Sequence, residues 1–200
     1  MTPEPQVKTA IDTYFHVVAA SKSEIDGYLP RARIDAQLKV MNEAYKKHDF
    51  SFNLKGVKWT INSMWADNRD STREREMKKN LRQGTYQTLN IYFVKKLENK
   101  GDLGDCYFPE KVTPAQLIKD GCRIVSSAVS GDTGAVKSSA DFALGLFHTF
   151  ENGCTSPGDE IEDTSYQKEP TQGCPSSPPP SKCPQGGNDP IHNYMDYSHE

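Results

Sequence analysis

The chain has 200 residues, enough for one domain with a buried core, and its 24 basic and 27 acidic side chains leave a net charge of -3. With a pI near 6.0 and a mean hydropathy of -0.73, that balance gives no case for nucleic acid or an anionic membrane as partner. No apolar run approaches the ~20 residues that span a bilayer. Met1-Thr2-Pro3-Glu4-Pro5 is polar, so no signal peptide is visible.

Residues 1–10 read as a tail. Residues 11–20, rich in β-branched and aromatic side chains, read as a buried strand. Pro30 opens a helix to about Lys47, on which Ile34, Leu38, Met41 and Tyr45 share one apolar face. Residues 50–54 and 57–65 each alternate apolar and polar, as two strand segments would. Residues 70–83 form a charged helix capped by Ser71 or Thr72 and anchored by Met77 and Leu81. Its charges alternate in sign, which favours a solvated face with internal ion pairs over a binding surface.

Residues 89–94 are another apolar strand, 101–104 a turn, 106–109 a short extended piece and 122–128 a strand or loop. Residues 135–150 form a candidate helix. From Gly153 onward the chain carries Gly, Pro, Ser and Cys and little regular structure, with an exposed Pro/Ser loop at 176–181. No repeat is present. The order suggests an α/β layer over 11–150, then an irregular part over 151–200.

Five cysteines, at 106, 122, 154, 174 and 183, are many for a cytosolic protein of this size. Three lie in the Pro/Gly/Ser-rich part, which cannot fold by burial alone, so stapling in an oxidising compartment is expected. A chain clipped at its N-terminus reconciles that compartment with the missing leader. The odd count leaves one thiol over, as a chain clipped at its C-terminus would.

Three places bear on chemistry. Gly145-Leu146-Phe147-His148 is the back half of the zinc-protease pattern H-E-x-x-H-x-x-G-x-x-H. In that pattern two His one turn apart share a face, the Gly lets the chain turn, and a third His returns to the metal. The Glu polarises the zinc-bound water. Aligned on Gly145 and His148, the first His falls on Ser138, the Glu on Ser139 and the second His on Phe142. Catalytic zinc needs three protein ligands, and only His148 remains.

Met195 and Tyr197 have the spacing of a Met beneath a zinc and a phenol that stabilises an oxyanion. Residues 158–164 hold four carboxylates in five positions. Asp159 and Asp163 could hold calcium, and the alternative is a solvated acidic loop. Among the other histidines, His16 falls in a core strand, His48 suits a helix C-terminus, His192 alone defines no site, and His199 is terminal.

Taken together and in order, Thr13 to Val18, Val40 to Tyr45, Glu76 to Tyr86, Leu89 to Phe93, Leu103 to Pro109, Leu144 to Phe150, Gly153-Cys154, Gly158 to Thr164, Gly173 to Pro175 and Asp189 to Ser198 resemble the pappalysin family of metzincins. The likeness is to its secreted fungal and bacterial branch of extracellular metalloproteases. It implies an α/β (α+β) metzincin-like fold: an upper part over 11–150 with a twisted mixed sheet, a backing helix and an active-site helix, and a lower, disulfide-tied part over 151–200 with a Met-turn. It implies secreted, monomeric zinc endopeptidases acting on proteins and peptides, and the pairs Cys154–Cys183 and Cys106–Cys122. Cys174 would pair with a cysteine just past the Met-turn, beyond Glu200. Ser138, Ser139 and Phe142 depart from the family, so the expectation is a pseudoprotease. The alternatives are a protease that is active in its correct full-length form, with this chain a mis-spliced copy, and a non-catalytic peptide-binding module.

Overall fold

The computed structural model describes residues 9–99, 102–129, 145–173, 178–193 and 195–198. The chain divides into two compact units, Met1–Ala143 and Leu144–Glu200.

The first unit is built on one mostly parallel sheet. Strand β1 (Thr9–Ala19) lies inside it, paired in parallel with β2 (Phe50–Ile61) on one side and β3 (Leu89–Val94) on the other. Beyond β3 come β5 (Cys122–Val125), also parallel, and β4 (Gly104–Asp105), antiparallel at the edge, for the order β2-β1-β3-β5-β4. β1 and β3 are continuous apolar runs because both faces of an inner parallel strand are covered. Phe15, Val17, Val18, Ile91, Phe93 and Ile124 form the core, and the rings of Phe15 and Phe93 meet edge to face at 5.4 Å.

The two segments expected at 50–54 and 57–65 are one strand. Its register against β1 slips by a residue between Thr13↔Leu54 and Tyr14↔Gly56, so Lys55 is a bulge. A bulge reverses the in/out alternation, which is why the sequence reads as two pieces. A Cβ at Gly56 would press on the Tyr14 ring at 3.3 Å, so glycine relieves the packing there. The strand ends at Ile61, not at residue 65. Asn62 Oδ1 accepts the N–H groups of Met64 and Trp65 and starts the short helix α2 (Ser63–Ala66).

Helix α1 (Arg31–Tyr45) follows Pro30 and buries Ile34, Gln37, Met41 and Tyr45. Helix α3 (Ser71–Leu81) is capped by Asp70, whose Oδ1 accepts the Arg73 N–H at 2.9 Å; Ser71 and Thr72 are already inside the helix. Its charged face is not all solvated. Lys78 is fully buried, its ammonium 2.8 Å from Glu74 Oε1 and bonded to the carbonyls of Lys119 and Gly121 at 2.6 and 2.8 Å. Arg123 joins Glu74 at 3.4 Å and bonds Asp105 on the edge strand. One further helix, α4 (Pro114–Lys119), has Thr113 as its cap and Pro114 in its first turn. The disulfide Cys106–Cys122 ties the segment after β4 to the start of β5.

In the second unit the described residues contain turns and no regular helix or strand. Cys154–Cys183 staples it. Both disulfides are the pairs the family resemblance implies. Among the described residues no helix is long and apolar enough to cross a membrane.

Candidate metal-ligand site around His148

The expected helix at 135–150 is not helical where it is described. Residues 145–150 are turn and coil. Gly145 sits at φ 90°, a left-handed value that an α-helix does not continue through. Residues 135–144, and with them Ser138, Ser139 and Phe142, lie outside the described residues.

The turn delivers His148 to the segment that holds Met195. His148 Nδ1 lies 2.8 Å from the Met195 carbonyl oxygen, which also accepts the Thr149 N–H at 3.3 Å. A carbonyl only accepts, so Nδ1 carries the proton and Nε2 is the lone-pair nitrogen of the neutral ring. The Tyr197 hydroxyl is 3.3 Å from Nε2 and donates to it. The imidazole stacks on Phe150 at 4.7 Å and meets the Tyr197 ring edge-on at 4.9 Å. Burial lowers the His148 pKa against the opposing hydrogen bond to Met195, which favours the neutral ring. Met195 itself is buried, and Tyr197 remains 46% exposed.

What fixes the Met195 segment is polar. Asn193 Oδ1 accepts the Met195 N–H at 2.9 Å, and the Asn193 carbonyl accepts the Asp196 N–H. Asp196 Oδ1 accepts from Gln167 Nε2 at 3.0 Å and from the Thr171 N–H at 2.9 Å. Thr149 donates to Gln167 Oε1 at 2.6 Å. Thr149, Gln167, Thr171 and Asp196 thus lock the two arms of the site together. No spacing or motif in the sequence singles out these four as a network. A buried glutamine in an irregular stretch breaks no periodicity, and the Asp next to Met195 was the one available clue.

The other expected residues are placed as follows. Asp159 is buried and its Oδ1 accepts the Ile161 N–H, while Asp163 is exposed. His192 and His48 are exposed, and His16 lies in the core of the first unit, its Nε2 2.9 Å from Asn90 Oδ1.

His148 offers one nitrogen, and among the described residues no three His, Cys, Asp or Glu side chains converge. In the sequence, residues 130–144 contain no His, Cys or Glu, and their carboxylates are Asp132 and Asp141.

Extracellular metalloprotease 1 of Coccidioides posadasii is 46% identical over 202 residues, covering 96% of this chain and 71% of that protein. Extracellular metalloproteases of Colletotrichum graminicola and Pyricularia oryzae are 44% and 45% identical, each over at least 94% of this chain and 68% of their own length. This chain belongs to the extracellular metalloprotease family. No family model matches it. The fold is similar to that of mature mirolysin from Tannerella forsythia, solved in complex with a cleaved peptide. Its TM-score is 0.74 and its sequence identity 21%, over 98% of this chain and 86% of mirolysin.

Proposed function

We propose that this chain is a pappalysin-branch metzincin, built on the frame of a secreted zinc endopeptidase, that does not itself hydrolyse peptide bonds. The observation that carries this reading is the surroundings of His148. Its ring is bonded to the Met195 carbonyl and the Tyr197 hydroxyl, and Ser138, Ser139 and Phe142 stand where the family has its other two His and its Glu. A serine hydroxyl is a poor zinc ligand at neutral pH, and a phenylalanine has no donor atom. Without the Glu, general-base help typically worth ~10²–10⁴-fold is gone.

In this reading Met195 and Tyr197 keep the places of the Met-turn and the oxyanion donor, and the setting is extracellular, as for the relatives. The test is direct. The purified chain is assayed for bound zinc and for casein and gelatin hydrolysis, with and without chelator. No zinc and no cleavage are expected; one bound zinc with chelator-sensitive cleavage overturns the proposal.

The sheet edge favours a second reading, a peptide-binding module. β4 is an antiparallel edge strand that can pair with an extended peptide, and mirolysin was solved in complex with a cleaved peptide. Binding of an unstructured peptide that persists in chelator supports it; no binding at millimolar peptide refutes it.

A further inference from the structure

The sheet has two edges, and the one opposite β4 is β2. In a parallel ladder the N–H and C=O of one residue point to the same side, and successive residues point to opposite sides. Thr9 N–H bonds the Asp49 carbonyl and Asn62 N–H bonds the Ala19 carbonyl, which fixes the residues of β2 that face β1. They are Ser51 and Asn53 before the bulge at Lys55, and Lys58 and Thr60 after it. Phe50, Phe52 and Leu54, then Val57, Trp59 and Ile61, turn their backbone groups away from the sheet.

The two halves of this outer edge differ. At Phe52 the edge is closed. Asn42 on α1 accepts the Phe52 N–H at 2.7 Å and donates to the Phe52 carbonyl at 3.2 Å, the two bonds a neighbouring strand would make. The bulge at Lys55 then interrupts the edge, a device that discourages strand addition. Beyond it the edge is open. Among the described residues nothing bonds the backbone groups that Val57, Trp59 and Ile61 turn outward.

The surroundings of the open half are basic. Between Arg31 and Ile61 stand seven Lys and Arg against three Asp and Glu, leaving 17 against 24 for the rest of the chain. Helix α1 runs along this edge: Asn42 reaches Phe52, and Trp59 Nε1 donates to the Leu29 carbonyl just before the helix begins. Lys39, one turn before Asn42, shares its side of the helix. Lys39 and Lys58 are exposed, and among the described residues neither has a carboxylate within ion-pair distance. At the far end Ile61 and Met64 are 47% and 58% exposed.

We propose that the outer edge of β2 over Val57–Ile61 receives an extended, acidic segment of a partner protein as an added strand. Backbone bonds supply the pairing, Lys39 and Lys58 select carboxylates on the incoming segment, and Ile61 and Met64 take an apolar side chain at one end. A second copy of this chain does not suit the edge, because its matching strand brings the same lysines, and like charges set opposite each other destabilise a strand pair. The inference concerns the other edge of the sheet from β4 and holds whether or not β4 binds peptide.

The probe is a blocked peptide of about eight residues alternating Glu and Val, titrated into the full, isotope-labelled chain, with a Lys/Val peptide as control. In the free chain the amides of Val57, Trp59 and Ile61 should exchange rapidly with solvent, and those of Lys58 and Thr60 slowly. The acidic peptide should slow the three fast amides at least about tenfold and leave Gly104 and Asp105 unchanged. Lys58→Glu should weaken binding about 3–10-fold, while Lys111→Glu, exposed beyond β4, leaves it as it was. Val57→Pro removes one outward N–H where an edge strand tolerates proline, and should abolish binding. Should Val57→Pro not fold, the amide pattern and Lys58→Glu decide. The proposal is overturned by no protection at millimolar acidic peptide, by protection at Gly104 and Asp105 alone, by equal binding of the Lys/Val peptide, or by self-association of the free chain through the same three amides.

Discussion

The burial of His16 should make the first unit acid-sensitive. It lies mid-way along β1, between β2 and β3, stacked on the Tyr92 ring at 4.7 Å. Asn90 Oδ1 accepts the Gln83 N–H and faces His16 Nε2, while the Asn90 amide donates to the carbonyls of Gln83 and Thr88. Nε2–H is therefore the donor, and Nδ1 is buried with no partner. A second proton has nowhere to bond, and burial lowers the pKa from 6.5 to about 4. Above pH 6.5 the ring is neutral in both folded and unfolded chains. Below it the unfolded chain takes a proton that the folded chain refuses, so stability falls by ~1.4 kcal/mol per pH unit until the folded ring protonates near pH 4. The total is about 3 kcal/mol, a large share of the ~5–15 kcal/mol that holds a domain together. Urea midpoints between pH 7 and 4 for the parent and for His16→Gln isolate this group, because other acids titrate alike in both. The difference between the two stability curves should change by about 3 kcal/mol across that window. Parallel curves refute the reasoning.

Lys78→Met removes the ammonium of a buried pair and leaves Glu74 with Arg123 and the Tyr107 hydroxyl; a loss of ~3–5 kcal/mol is expected in chemical denaturation. Tyr197→Phe keeps the ring against His148 but deletes the hydroxyl that favours its neutral form. The His148 pKa should rise, as followed by NMR of the imidazole, with a stability change of about 1 kcal/mol or less. Replacing Cys154 and Cys183 together by Ser opens a loop of 29 residues' separation. Loop entropy puts that loss at ~3–4 kcal/mol, read as a lower midpoint of the second unit.

Legibility followed chemistry. β1 and β3 were plain because an inner parallel strand is apolar on both faces, and α1 because its apolar residues recur every three to four. Lys55 hid the continuity of β2, since a bulge shifts alternation by one. Lys78 hid its burial, because a charged residue on a mixed-charge helix reads as surface until carbonyls from Lys119 and Gly121 are brought to it from far along the chain. Thr113-Pro114 marked the start of α4, but six residues are too few to show a period. At the candidate site the motif pointed to His148 and Met195. The Gln167–Asp196 scaffold could not be foreseen, because hydrogen bonds between irregular segments leave no pattern in sequence. Of the helix expected over 135–150 the described residues, 145–150, are not helical, and they begin at Gly145, the residue the motif itself uses to turn the chain.

The place of β1 inside the sheet also governs how the chain can be made. β1 has two edges that must both be covered, and both of its partners follow it in the chain. Once residue 61 has emerged, β2 can close one edge, but the other has no partner until β3 appears after residue 88. At ~5–20 residues per second, that is roughly 1–5 s with an apolar strand edge open. The nascent chain is most prone to stick to its neighbours in this interval, and a chaperone that shields β1 would act on synthesis while leaving the finished molecule unchanged.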